Sequence, residues 1–454
     1  MVPQLDEHTA RTYAFSKSLQ APVLEMGTRG VLVDQYRKAQ VIEEYSEMIE
    51  RLEAQLNQII FNGVGLAVFN WRSPKDLQYL FYTRLELEPI RKMGKVTCDR
   101  EAREKLEIYP IAEQILKHIN LLTELGDKVS VLRTGIDPDG RIRTSYNIAG
   151  TSTGRFSSSA STFGTGGNLQ NVEEKLRSIF ISDPGMKFAK MDAKSGESFC
   201  VGAVEWNILG DSRYLDACET GDPHTASAKM VWPNLGWVGN LKEDKAIAEQ
   251  LYYRDHSYRF MCKKLGHGSS YGGQPATIAA QARIPVQLVE TFQTLYFKAF
   301  PHQQWHAWVA NELKTKGYLI SLTGRKRWFF KRRTEPKTLR EALAYDPQGS
   351  LADIVNQAMI KLWRMGFTIV MHDHDALTFM YPERDEDKII SQLMDNIVVP
   401  VELNGGRTLR IPYDCKVGWN KADYSSANPD GLKDYHGHDD RKRSKVKSLL
   451  DKMV

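Results

Sequence analysis

Arg259-Phe260-Met261-Cys262-Lys263-Lys264-Leu265-Gly266-His267-Gly268-Ser269-Ser270-Tyr271-Gly272-Gly273 is the stretch from which the fold can be worked out. Arg259 and Lys263 stand four residues apart, the spacing that puts two side chains one above the other on a single helical face. His267 and Tyr271 continue the series, drifting slowly around the helix, and Gly272-Gly273 closes it. Two cations on one face could meet a triphosphate, and an aromatic ring at the closing end could stack on a base. The same pattern also describes a basic, solvated face ending at a glycine cap. The stretch therefore takes its meaning from its neighbours.

Upstream, Lys187-Phe188-Ala189-Lys190-Met191-Asp192 reads as a strand ending at a carboxylate, and residues 197–209 as a helix. Downstream, Leu351, Ile354, Val355, Ala358, Met359 and Leu362 share one helical face until Gly366 stops it. Two β runs follow, 367–371 and 377–381, with His372-Asp373-His374-Asp375 between them, a hairpin with acids at its bend. Asp192 and one of Asp373 and Asp375 could meet on adjacent strands of one sheet. There, hard carboxylate oxygens suit Mg²⁺ and could hold two ions about 4 Å apart for phosphoryl or nucleotidyl transfer. Taken singly, each acid is equally a solvated turn residue. A third candidate is Thr153-Gly154-Arg155-Phe156-Ser157-Ser158 with Asn168-Leu169-Gln170-Asn171. Its arginine and amides could contact phosphates or minor-groove acceptors, or the segment could be a plain Ser/Thr/Gly loop.

The rest of the chain frames these segments. Apolar residues at Val41, Ile42, Tyr45, Met48, Ile49, Leu52, Leu56 and Ile59 predict an amphipathic helix, and the first 130 or so residues read as mainly helical, punctuated by Ser73-Pro74. Turn residues at 136–140 precede an alternating run at 141–146, 151–167 reads as a loop, and 240–315 as mostly helical. After Trp419 the chain is polar and ends in a basic run at 441–447, expected as a solvated tail. The 454 residues carry a net charge of +5, which suits a polyanionic partner without demanding one. Five scattered cysteines without a Cys-x-x-Cys pair speak against zinc and for a reducing cytosol. With no signal peptide and no membrane span in view, the expectation is a soluble cytoplasmic protein.

Taken in order, these segments resemble the family A DNA polymerases, the group of bacterial DNA polymerase I. Thr153 to Ser158 with Asn168 to Asn171 is similar to the family's Thr-Gly-Arg and Asn-Leu-Gln-Asn elements, and Asp192 to Glu197 to its motif A. Asp222-Pro223-His224-Thr225-Ala226 resembles the Asp-x-His element, and Arg259, Lys263, Tyr271 and Gly272 the motif B helix. Gln348-Gly349-Ser350-Leu351-Ala352-Asp353 resembles the Gln-Gly-Thr-Ala-Ala-Asp segment, with Arg340 at the upstream arginine. His374-Asp375 resembles motif C, in the register that puts Leu377 and Phe379 on the expected strand face. Pro22 to Met26 and Gly30 to Asp34 are similar to the start of the polymerase region, and Ser73-Pro74-Lys75 to its thumb. The resemblance runs from about residue 15 to 420. The chain departs from the family pattern with a longer 159–167 segment, Ala193 for Tyr, His267 for Phe or Tyr, Ala344 for Asn and Ala376 for Glu.

The resemblance implies an α+β right hand. Residues 1–135 would form an N-terminal segment and helical thumb, 136–220 the first part of an antiparallel palm, 221–335 helical fingers, 336–421 the second part of the palm, and 422–454 a polar tail. Asp192, Asp375 and the backbone carbonyl of Ala193 would hold two Mg²⁺ (Mn²⁺ substituting), with Lys263 as a further catalytic group. Arg259, Lys263, His267, Tyr271, Glu197 and His224 would bind the nucleotide, Glu197 as the sugar gate that excludes a ribose 2′-hydroxyl and Tyr271 at the templating position. Arg155, Asn168, Gln170, Asn171, Arg340, Gln348 and His374 would contact DNA. The implied activity is template-directed addition of deoxynucleoside triphosphates to a primer 3′-hydroxyl on primer-template DNA, away from membranes. The few residues ahead of the matched region leave no room for proofreading or 5′-nuclease domains. Length and divergence point to a phage-type enzyme served by a separate exonuclease or processivity factor. A single-subunit RNA polymerase shares the hand but would be expected to carry a small residue in place of Glu197. A non-catalytic DNA-binding protein on this fold is the other alternative. An HD-type phosphohydrolase would need its His-Asp doublet on helices.

Overall fold

The computed structural model describes residues 6–133, 135–161 and 164–435; the basic run at 441–447 lies outside them. At its centre is a five-stranded antiparallel sheet built from β1 (Met186–Ala193), β2 (Thr368–Asp373), β3 (Ala376–Pro382), β4 (Tyr413–Gly418) and β5 (Lys433–Asp434), in the spatial order β2-β3-β1-β4-β5. The runs ending at Asp192 and flanking the acid-rich bend are thus neighbours, with Ala376 directly opposite Asp192. Successive residues of a strand face opposite sides. Ala189, Met191, Leu377 and Phe379 are buried among helices on one side, so Asp192 and Lys190 open on the other.

The helical side is covered by α3 (Gly196–Leu209) and α5 (Pro336–Arg364). Gly196 permits that packing, since a Cβ there would lie 2.6 Å from a methyl of Leu351. The helix containing Leu351 begins fifteen residues before the run from which it was read, because its first half mixes polar, aromatic and proline residues and lacks one apolar stripe.

Towards the N-terminus, α1 (Gln35–Val64) and α2 (Pro110–Leu132) bury Leu56, Ile60, Ile115, Leu116, Ile119 and Leu122 against each other. Asp34 caps the first helix by accepting from the Arg37 amide, and Gly65 ends it at φ 70°. Ser73 caps a short helix that starts at Pro74, as the Ser-Pro pair suggests. The strand Val31–Val33 interrupts the helical N-terminal part, pairing with Arg141–Ile142 and Phe180–Ile181 and so tying the thumb's root to the palm.

A helical layer stacks α4 (Tyr258–Ser270) with helices Pro275–Ala282, Val286–Ala299 and His302–Thr315 around Phe292, Tyr296 and Trp305. A hairpin, Leu251–Tyr253 with His256–Ser257, breaks the helical run expected from 240. The segment read as a loop at 151–167 contains the strand Ser157–Ser159, paired with Ser145–Asn147. Three serines give no side-chain pattern, yet backbone groups alone make a ladder. At the far end, residues 422–435 fold back and supply β5, so the palm sheet continues past residue 421.

Candidate active site

The geometry begins with a two-residue turn. Asp373 pairs with Ala376 across the hairpin, leaving His374 and Asp375 at the bend, with His374 at φ 55°. The turn sends the two acids to different places. The Asp373 carboxylate meets the Lys421 ammonium at 2.6 Å, and Lys421 also donates to the Thr378 hydroxyl. Asp375 instead sits beside β1, where the Ala193 amide donates to its carbonyl at 3.0 Å. Its carboxyl is pushed up to about 6, first by burial and then by the charge of Asp192. Asp373 is held below the usual carboxylate range, because Lys421 and Lys190 outweigh its burial.

The two assignments make opposite predictions for stability. Asp373→Asn strands the buried Lys421 ammonium and is expected to cost about 3–5 kcal/mol. Asp375→Asn relieves a desolvated, repelled carboxylate and is expected to stabilise by about 1–3 kcal/mol at pH 8. The raised pKa means that this gain is absent below about pH 4 and grows as pH rises through about 6. Urea unfolding of both variants at pH 4 and pH 8, without added metal, checks the signs; a neutral Asp373→Asn beside a damaging Asp375→Asn would reverse the assignment.

Asp192, Asp375 and Asp414 line one cavity of about 640 Å³ with Glu197, His224, Arg259, Lys263 and His267. Asp414 lies opposite Asp192 on β4 and was not singled out in the sequence; its place depends on strand register, which no local motif signals. Lys190 lies two residues before Asp192 on the same face, and its ammonium stands 2.9 Å from that carboxylate. Among the described residues, no group of three or more His, Cys, Asp or Glu side chains forms a ready metal cage. Mg²⁺ usually takes one or two carboxylates and completes its octahedron with water and substrate phosphate. Two adjoining aspartates, one with its pKa raised by burial and by the charge of the other, fit that demand for a shared cation.

The cation helix faces these acids. Lys263 is exposed and makes no salt bridge among the described residues, whereas Arg259 is held by Asp222 at 2.9 Å and by Glu249 at 3.5 Å. Asp222 is also the cap of the helix Pro223–Val231, so it joins the two elements. His224, on that helix, is lowered to about 4 by burial and by Arg259, and is therefore a neutral imidazole near pH 7. At the closing end, the Tyr271 hydroxyl donates to Glu197 at 2.9 Å, His267 lies 3.9 Å from the same carboxylate, and the two rings meet edge to face.

The residues expected on DNA separate into three groups. Arg340 is exposed, and Gln348, His374 and Arg155 are half-buried; of these, Arg155 reaches the cavity through its ion pair with Glu197. Arg155 is brought in because its loop approaches α5 at Gly349, where a Cβ would lie 3.0 Å from the Thr153 carbonyl oxygen. Asn168 and Asn171 are exposed, and Asn168 also caps the turn Leu169–Asn171. Gln170 differs from the expected surface contact. It is only 6% exposed and donates its amide to the His372 carbonyl at 3.1 Å, supporting the acid-bearing hairpin from behind. His372 itself is a core residue, bonded to Asn356 and packed on Phe156.

A family model described as DNA polymerase family A matches residues 39–425, most of the chain. The chain belongs to DNA polymerase family A. Within the family it is 27% identical over 426 residues to the thermostable DNA polymerase I of Thermus aquaticus, covering 88% of this chain and 47% of that protein. To the DNA polymerase I of Bacillus caldotenax it is 27% identical over 421 residues, covering 87% of this chain and 44% of the other. The chain thus spans just under half the length of these relatives. Among solved structures it is similar to the POL domain of Pol1 from M. smegmatis, in complex with DNA primer-template and dNTP, with a TM-score of 0.66 and 21% identity over 89% of this chain and 69% of that one. The likeness shows the right-hand polymerase fold. No helix among the described residues is long and apolar enough to cross a membrane.

Proposed function

We propose that this chain is a template-directed DNA polymerase that joins deoxynucleoside triphosphates to a primer 3′-hydroxyl and releases pyrophosphate. The observation that carries the reading is that Asp192 and Asp375, from segments far apart in the chain, share one cavity with Lys263 and with Arg259. Asp192, Asp375 and the backbone carbonyl of Ala193 would hold two Mg²⁺, or Mn²⁺ in their place. Bound there, such ions lower the pKa of the attacking hydroxyl and offset charge on the leaving group. Lys263 places a mobile ammonium where the triphosphate must lie, and Arg259 adds a planar fork once it shares or leaves Asp222. These cations are best placed to stabilise negative charge that builds on the departing pyrophosphate. Neutral His224 can donate a hydrogen bond to a phosphate oxygen without adding charge. Primer-template DNA would run along the flank marked by Arg155, Arg340, Gln348 and His374, with Tyr271 at the templating position.

Glu197 sets the sugar. Arg155 and Tyr271 fix its carboxylate from two sides, so it cannot swing aside at low cost. A 2′-hydroxyl entering that space would meet a side chain that is already hydrogen-bonded. Glu197→Ala is therefore expected to narrow the preference for deoxynucleotides over ribonucleotides by about 10–100-fold, or about 1.4–2.8 kcal/mol. Primer extension with matched dNTP and rNTP measures it. Equal use of both by the wild type would favour an RNA polymerase, and no extension with either would favour a non-catalytic DNA-binding protein.

A further inference from the structure

Between the strand Lys326–Trp328 and the start of α5 lies a segment that the polymerase reading does not use. Residues 329–335 hold three cations, Lys331, Arg332 and Arg333, against one acid, Glu335. Aromatic residues are set among them with opposite fates. Phe329 is buried, with Arg327 stacked on its ring at 4.5 Å, while Phe330 next to it is 92% exposed and Trp328 is 46% exposed. A phenylalanine so fully in water contributes nothing to this core. Arg332 is 86% exposed beside it, and Lys331 reaches back to Glu341 at 2.9 Å.

The position of this segment matters as much as its composition. Glu341 follows Arg340 on α5, and Arg340 borders Gly272, its Cγ 3.8 Å from where a Cβ would stand on that glycine. Gly272 follows Tyr271, which closes the cation helix against Glu197. Lys331, next to the exposed ring, is thus tied through Glu341 to the turn of α5 that borders the closing end of the cation helix. On the proposed function, the strand that arrives at this end is the unpaired template. Duplex bases already stack on each other and offer no free face, whereas an unpaired base does. Exposed aromatic faces with adjacent basic side chains are the usual means of holding single strands.

We propose that Trp328, Phe330, Lys331 and Arg332 form a platform for the single-stranded template ahead of the polymerase site, with Phe330 stacking on a base and the cations meeting phosphates. This rests on the polymerase reading for the identity of the strand, but its test does not depend on catalysis. The measurement is fluorescence-anisotropy binding of a labelled primer-template with a long 5′ template overhang, against the same duplex with blunt ends. The wild type is expected to bind the overhang form about tenfold more tightly. Phe330→Ala is expected to remove most of that gain. Arg332→Ala is expected to lower it and to reduce the salt dependence by about one phosphate contact. Both side chains are exposed, so neither change should disturb folding. Blunt-duplex binding should stay unchanged in both. A wild type that shows no gain from the overhang, a gain that survives in both variants, or equal losses on blunt duplex would overturn the platform. Extension on a template with a minimal overhang should remain at the wild-type rate in both variants. An inactive wild type would count against the polymerase reading and leave the binding comparison standing.

Discussion

Asp192→Asn is expected to slow primer extension by about a thousandfold or more, roughly 4 kcal/mol of transition-state stabilisation. Asparagine keeps the shape of the side chain and removes its charge. Asp192 is central in the acid group, with Ala376 opposite it on one side and Asp414 on the other. A divalent ion bound beside it would lose one of its two anionic ligands from the protein. Asp414 is exposed and lies 3.9 Å from Lys194, so it is poorly placed to take over. The protein should stay folded, because Asp192 is only partly buried and its sole ion-pair partner among the described residues, Lys190, keeps the favourable charge of Asp373 nearby. Rapid-quench extension with saturating Mg²⁺ and dNTP measures the rate, and circular dichroism checks the fold. A folded variant that extends at the wild-type rate would contradict the assignment.

Lys263→Ala is the second large effect, about 100–1,000-fold in the rate of incorporation. Lys263 is the cleaner test of the cation helix than Arg259. Removing Arg259 also frees Asp222, which caps a neighbouring helix, so its loss mixes structure with chemistry. Lys263 has no salt bridge to lose among the described residues. If its ammonium meets charge that grows on the pyrophosphate, the maximal rate should fall by more than the affinity for dNTP. Lys263→Arg should recover part of the rate, since a cation returns in altered geometry. A loss confined to dNTP affinity would make Lys263 a binding group only.

Much of the palm could be read from residues 187–192, 197–209 and 351–381, where period-2 and period-3.6 patterns are clean and bounded by turns. The same patterns failed where neither face is apolar. The strand Ser157–Ser159 has no side-chain signal, and the residues that supply β5 look like a tail until they meet β4. The acid pair shows a subtler limit. His372-Asp373-His374-Asp375 alternates so evenly that the sequence allows two registers. Pairing of Asp373 with Ala376 and the distant Lys421 separate them, and neither is visible locally. Gln170 shows the converse. An amide in a loop-like motif reads as a surface contact, but the fold buries it against the His372 carbonyl, where an unmade hydrogen bond would be costly. Arg155 and Glu197, forty-two residues apart, are brought together by the close approach at Gly349.

The most direct measurement is single-nucleotide incorporation on a defined primer-template by wild type, Asp375→Asn and Asp373→Asn, with each of the four dNTPs in Mg²⁺. The expected result is that the wild type adds only the nucleotide complementary to the template, that chelation stops it, and that Asp375→Asn folds but fails. Asp373→Asn should lose stability while its folded fraction still extends. A folded Asp375→Asn that incorporates like the wild type, or a wild type that adds nucleotides without regard to the template, would contradict the account.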